Sequence, residues 1–354
     1  MDKELHMDLE KIVCLHSPDS APLMPRKLYI EPTSLCNLNC SMCFRNGWLE
    51  AEKGHMDMSL YMKLAREIGE ITSLEEVFFG GMGEPLLHPH IGEMLRALPA
   101  GVRRSLLTNG TLLDMQTTRM LLEAGLDTLW ISMDGFERSA YAAIQRGGRF
   151  DTVVQNLTGF DAARKGTSTK LCITFVVTPE NMEQLGKINA FADSVHADGI
   201  NISHMIPGEP LPREGSPFDR SDIPVGPMHR YGESAEPPQE HVCPFVQNGQ
   251  FFVRWDGEVI PCMQLLHSSY TYLFEQRRKV LSFSYGNIAE KTLLECWQDP
   301  KYVAFRQRVA SFYFPFCIVC WGCDRREENL SDCYLDEAPT CGACLWSTGK
   351  IRCP

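Results

Sequence analysis

Short apolar runs alternate with amphipathic stretches through the first half of the chain. The runs at 28–31, 76–79, 105–108, 128–132, 171–177 and 199–204 are predicted strands. They are too short for helices and are rich in β-branched and aromatic residues. Between them, apolar positions recur at helical spacing over 59–71, 114–124, 138–145, 150–164 and 182–195. A strand-then-helix rhythm predicts an α/β fold with a parallel sheet and crossover helices. Six such units make a partial (β/α)6 TIM-like barrel rather than the eightfold one, with chemistry expected at the C-terminal ends of the strands.

The rhythm stops near residue 207. Residues 208–242 are dominated by Pro, Gly, Ser and charge, and read as a linker. Residues 251–260 alternate again around Asp256-Gly257, a β-hairpin signal. The expected organisation is therefore an N-terminal extension at 1–25, a barrel at 26–207, the linker, and a small cysteine-rich domain at 243–354.

Composition narrows the function classes. The 354 residues are 44% hydrophobic, and no apolar run approaches a membrane span. The N-terminus is charged and lacks the apolar stretch of a signal peptide, so the expected location is cytoplasmic, with no membrane partner. A formal net charge of −11 argues against nucleic acid as a partner. Fifteen cysteines without a secretion signal point to metal clusters in a reducing setting rather than to disulfides.

Three of these cysteines fall in Cys36-Asn-Leu-Asn-Cys40-Ser-Met-Cys43-Phe44, directly after the first predicted strand. Structural zinc sites begin with a two-cysteine hook, which this spacing fits poorly. A tetra-iron cluster takes four thiolates. Three would leave one iron open to bind a reactant. Further strand ends carry Phe79-Gly-Gly81-Met-Gly83-Glu84-Pro, Leu107-Thr-Asn109-Gly and Ser132-Met-Asp134-Gly. On their own these are turn and cap chemistry. Asp134 and Glu31 lie near strand ends with no assigned role. His204 reads as a barrel-rim histidine, and Cys14, Cys172 and Cys296 as lone buried thiols.

The cysteine loop and its following aromatic residue resemble the radical S-adenosylmethionine (SAM) superfamily. The resemblance implies a [4Fe-4S] cluster held by Cys36, Cys40 and Cys43, with SAM chelated to the open iron. It implies reductive cleavage of SAM to a 5′-deoxyadenosyl radical that abstracts hydrogen from a substrate. It assigns Gly81, Gly83 and Glu84 to the SAM amino group, and Asn109 and Ser132 to its ribose or carboxylate. Arg146 goes to the carboxylate and Phe44 to the adenine. A solvated surface arginine is the other reading of Arg146.

The pattern Cys243-x13-Gly257-x4-Cys262, then Cys317-x2-Cys320-x2-Cys323, Cys333, Cys341-x2-Cys344 and Cys353, resembles the SPASM domain. That resemblance implies two auxiliary [4Fe-4S] clusters. Cys243, Cys262 and Cys333 are expected on one, and Cys317, Cys320, Cys323 and Cys353 on the other. Cys341 and Cys344 include the remaining ligand. The spacing after the paired cysteines departs from the family pattern, and a zinc ribbon is the alternative.

The tail from Pro339 to Pro354 resembles the radical SAM maturases of tungsten-pterin oxidoreductases. The expected function is maturation of such an enzyme or its cofactor. The expected partners are a low-potential ferredoxin or flavodoxin and a protein, peptide or pterin-cofactor substrate. The alternatives are modification of a ribosomally made peptide and a non-catalytic iron–sulfur electron carrier.

Overall fold

The computed structural model describes residues 24–50, 52–211, 223, 225–231, 241–317, 320 and 323–354. Cys14 and most of the 1–25 extension lie outside these residues.

The barrel half follows the expected rhythm. Its elements are β1 (Lys27–Ile30), α1 (Met58–Glu70), β2 (Glu76–Phe79), α2 (Ile91–Ala97), β3 (Arg103–Thr108), α3 (Met115–Glu123), β4 (Thr128–Ser132), α4 (Arg138–Ile144), α5 (Phe150–Arg164), β5 (Lys170–Val177), α6 (Ile188–Ser194) and β6 (Gly199–His204). Strands β1 to β6 pair in parallel, each with the next. Local chemistry accounts for the helices. Asp57 caps α1 by accepting from Ser59 N and Leu60 N. Tyr61, Leu64, Ala65 and Ile68 then form its buried stripe.

Two elements differ from expectation. Residues 182–195 form a 3-10 stretch, Met182–Lys187, before α6, rather than one helix. Gly186 sits in that stretch, and glycine weakens a helix interior. In the expected linker, β7 (Gly226–Met228) pairs antiparallel with β6.

The expected hairpin is present as β8 (Gln250–Val253) and β9 (Val259–Ile260). It is not confined to the C-terminal half. β8 also pairs in parallel with β1, from Lys27↔Gln250 to Ile30↔Val253. The sheet therefore runs β7-β6-β5-β4-β3-β2-β1-β8-β9. Phe251, Phe252 and Val253 are fully buried, as a strand covered on both faces requires. A separate hairpin, β10 (Ser269–Leu273) with β11 (Gln276–Val280), follows.

The last residues of the chain close the barrel. His204 N donates to Lys350 O (3.3 Å) and Arg352 N to Ser203 Oγ (3.2 Å), which lays the tail along β6. Lys27 Nζ (2.8 Å) and Tyr29 OH (2.7 Å) both donate to Pro354 O from β1. The tail thus spans the gap between the first and last parallel strands.

Candidate functional site

A cavity of about 270 Å3 opens at the strand ends. Cys36, Cys40, Cys43 and Phe44 line one side. Their loop is held by backbone bonds to the end of α4 and the turn after it, from Ser41 N to Ile144 O (2.8 Å) and Asn39 N to Arg146 O (3.0 Å). Asn46 Nδ2 braces it by donating to Cys40 O (3.0 Å).

Burial pushes all three thiols above their ordinary pKa. Their mutual charge adds to this for Cys40 and Cys43. Leu38 N donates to Cys36 Sγ (3.4 Å), which favours the thiolate. Such a trio is a poor place for free thiolates but fits a metal cluster, which deprotonates its thiols on binding. Among the described residues no three His, Cys, Asp or Glu side chains close to single-ion spacing. A tetra-iron cage seats each thiolate on a different iron and so holds its ligands further apart.

The glycine-rich turn lies beside this loop. A β-carbon on Gly83 would fall 2.0 Å from Thr33 O, and one on Gly81 would fall 2.7 Å from Glu31 Cγ. Both glycines line the cavity and also let the β2 turn pack against the start of the cysteine loop. Glu84, 2% exposed, ties β2 to β3. Its Oε1 accepts from Thr108 Oγ1 (2.7 Å) and Leu86 N (3.0 Å), and its Oε2 from Asn109 N (2.8 Å). Burial raises its pKa against the pull of these bonds.

Asn109 reaches back to the loop, donating from Nδ2 to Asn37 Oδ1 (2.9 Å). Ser132 lines the cavity, and its Oγ faces Asp134 Oδ2 at 3.5 Å. Burial drives the Asp134 carboxyl up to about 7.

Of the expected site residues in the barrel, only Arg146 is not among the residues lining this cavity. Its side chain is exposed on the turn after α4, and its carbonyl holds the cysteine loop. The preceding residue, Gln145, lines the cavity instead, donating to Ser132 O (2.9 Å) and accepting from Asp134 N (3.0 Å). His204 lines the wall, its pKa lowered to about 4 by burial. Sequence reasoning missed Asn201 and Arg352, which with Ser203 complete the wall from β6 and the tail. No local motif marks them.

The C-terminal cysteines fall into neighbouring groups. Cys243, Cys262, Cys341 and Cys344 lie together, each partly exposed, and burial followed by one another's charge raises the pKa of Cys243, Cys262 and Cys341. Cys317 lies close enough to Cys320 and Cys333 to feel both, with burial its larger influence. Cys323 follows on the same loop, before the turn Asp324–Arg326. Cys333 thus lies near Cys317, and Cys341 and Cys344 lie beside Cys243 and Cys262. Gly342 permits this: a β-carbon there would lie 2.1 Å from Pro315 O and 3.1 Å from Cys317 Sγ.

No other cysteine is among the groups acting on Cys353. It lines the barrel cavity, where Trp346 Nε1 donates to its Sγ (3.4 Å) and the charges acting on it are those of Lys27 and Arg352.

Residues 30–192 match the family model of the radical SAM superfamily. Residues 243–324 match SPASM, an iron–sulfur cluster-binding domain. A Pyrococcus furiosus protein, the tungsten-containing aldehyde ferredoxin oxidoreductase cofactor-modifying protein, is 32% identical over 348 residues, 92% of this chain and 96% of its own. The chain belongs to the radical SAM superfamily.

This radical SAM/SPASM enzyme is also 23% identical to the PqqA peptide cyclase of Gluconobacter oxydans, over 88% of the chain and 86% of the relative. Among solved structures, anSMEcpe with bound AdoMet aligns with a TM-score of 0.59 at 19% identity, covering 87% of this chain and 92% of that one. At that identity the likeness is one of fold. The radical SAM and SPASM matches imply SAM and iron–sulfur clusters as cofactors. No helix among the described residues is long and apolar enough to cross a membrane.

Proposed function

We propose that Cys36, Cys40 and Cys43 hold a [4Fe-4S] cluster with one open iron, that SAM binds there, and that the enzyme acts in maturation of a tungsten-pterin oxidoreductase or its cofactor. The observation that carries the first part is the trio of partly buried thiols facing a cavity whose other walls combine glycine backbone and polar side chains with apolar ones such as Phe78, Leu107 and Ile206. The cluster with SAM supplies a 5′-deoxyadenosyl radical for hydrogen abstraction.

The chain's own residues do the holding. Gly81 and Gly83 leave backbone open to the ligand. Glu84 fixes the ends of β2 and β3. Asn109, Ser132 and Gln145 offer polar groups along the wall, and Phe44 supports the adenine. Arg146 would serve only if its side chain turned inward, so Gln145 takes its place in this reading. Cys243, Cys262, Cys341 and Cys344 hold one auxiliary cluster, and Cys317, Cys320, Cys323 and Cys333 the other. A low-potential ferredoxin or flavodoxin supplies the electron.

The maturation role rests on identity across both halves of the Pyrococcus furiosus protein. Peptide modification rests on the more distant likeness to the PqqA peptide cyclase. Anaerobic reconstitution followed by SAM and dithionite tests the chemistry. Methionine and 5′-deoxyadenosine are expected, with loss of both in Cys36→Ala, Cys40→Ala or Cys43→Ala. A tungsten aldehyde oxidoreductase produced with and without this chain tests the biological role. Equal activity from both preparations would remove it.

A further inference from the structure

Nine C-terminal cysteines were candidates for eight ligand positions, and the fold leaves one over. Cys353 lies on the tail that closes the barrel, and no other cysteine is among the groups acting on it. It reaches solvent only partly, and it lines the same cavity as the cysteine loop. Trp346, itself buried, orients its sulfur. A free cysteine that lines a cavity, unlike one packed in the core, leaves its thiol open to reaction.

A second feature of the same wall points to a ligand. Asn201 lines the cavity and is 1% exposed. Its Nδ2 donates to Arg352 O (3.4 Å), while its Oδ1 accepts no hydrogen bond among the described residues. A buried acceptor left without a partner costs about 1–3 kcal/mol. A molecule bringing an N–H or O–H donor into the cavity would remove that cost.

We propose that Cys353 is a free thiol of the substrate wall and serves as a hydrogen-atom donor there, with Asn201 Oδ1 accepting from an N–H or O–H group of the substrate. The proposal rests on the radical SAM reading above. In the step, the S–H bond of Cys353 breaks and a C–H bond forms at a carbon-centred radical in the cavity. S–H is weaker than aliphatic C–H, so the transfer runs downhill. The sulfur is left as a thiyl radical. It returns to the thiol by taking one electron from the low-potential donor and one proton from solvent.

The test uses the anaerobically reconstituted full chain, with Cys353→Ala and with Cys353→Ser, which keeps the bulk of the side chain. Iron per chain is measured first. Both variants are expected to match the unaltered protein, whereas Cys344→Ala loses iron. Loss of iron in both Cys353 variants would make it a cluster ligand and overturn the proposal. SAM and dithionite are then added in D2O, where a thiol exchanges its hydrogen for deuterium. The unaltered protein is expected to place deuterium in 5′-deoxyadenosine, and both variants to lose that label. Equal labelling in all three proteins would overturn the donor role. Absence of 5′-deoxyadenosine from all three would instead overturn the radical reading and the donor role with it, while the iron result still reports whether Cys353 is free.

Discussion

Glu31 and His267 meet across the junction of the barrel and the C-terminal half, with His267 Nε2 2.9 Å from Glu31 Oε2. Glu31 is fully buried and His267 is 1% exposed. Glu31 Oε1 also accepts from Met82 N (3.0 Å), inside the glycine-rich turn. On its other side His267 Nδ1 lies 2.6 Å from Glu50 Oε2, and the ring stacks on Trp48 at 4.1 Å. One chain of polar contacts thus runs from the exit of the cysteine loop, through the C-terminal half, to the glycines of the cavity.

This pair makes stability depend on pH. Burial opposes charge on His267, but its bonds to Glu31 and Glu50 outweigh burial and raise its pKa to about 9. In the unfolded chain a histidine titrates near ~6.5. The folded form therefore holds the proton more tightly. The stabilisation is complete below about pH 6.5 and is lost as pH rises through about 9. Thermal unfolding should show Tm falling across that window, with His267→Gln flattening the fall. An equal slope in the variant would place the dependence elsewhere.

The parts legible in the sequence were those set by local pattern. All six barrel strands have the period and length of buried β-structure, and the three-cysteine loop is a contiguous motif. The β8 hairpin was legible from Asp256-Gly257, but its pairing with β1 was not, because register between distant strands leaves no local signal. The same limit hid the pairing of Cys341 and Cys344 with Cys243 and Cys262. Arg146 and Gln145 differ by one position on a turn, and only the fold says which side chain faces inward. Asn201 reads as a strand residue until the tail is laid beside it.

Gly83 should not tolerate a side chain. The β-carbon of Gly83→Ala would meet Thr33 O at 2.0 Å and Leu35 O at 2.7 Å, both backbone atoms that cannot rotate away. Overpacking of this kind costs about 1–3 kcal/mol. The clash is at the base of the cysteine loop, so denaturant midpoint and iron content should fall together. Gly186→Ala is the control. Nothing lies within 4 Å of its β-carbon, and its midpoint should hold or rise. Intact iron in Gly83→Ala would refute the coupling.

Glu84 is expected to matter as a carboxylate, not merely as a polar group. Its two oxygens accept from three donors: Thr108 Oγ1, Leu86 N and Asn109 N. In Glu84→Gln one oxygen becomes an amide nitrogen and must face a donor. A hydrogen bond to a charged group is worth about 1.5–3 kcal/mol, so a loss of about that size is expected in urea unfolding. A midpoint unchanged from the unaltered protein would mean that these bonds are not formed.

Arg278 sits where the two C-terminal thiol sets abut. Cys317 N donates to Gly342 O (2.9 Å), which brings the Cys317 loop against the turn between Cys341 and Cys344. Arg278, on β11 and 7% exposed, feels the charge of Cys317, Cys344 and Cys341. Burial is the larger influence and lowers its pKa, and its Nε finds no acceptor among the described residues. Its neutral contacts are two long ones, Nη2 to Glu328 O and to Thr340 Oγ1, both 3.4 Å. A buried guanidinium so weakly bonded needs negative charge nearby, and thiolates on clusters would supply it. With clusters held by both sets, as proposed, the same positive charge would favour the reduced, more negative state of either. Arg278→Met should therefore shift the auxiliary reduction potentials to more negative values, whereas Arg278→Lys, keeping the charge, should shift them less. A redox titration followed by electron paramagnetic resonance, with iron content as the control, reads the difference. Potentials unmoved in an iron-replete Arg278→Met protein would mean that the guanidinium does not act on the clusters.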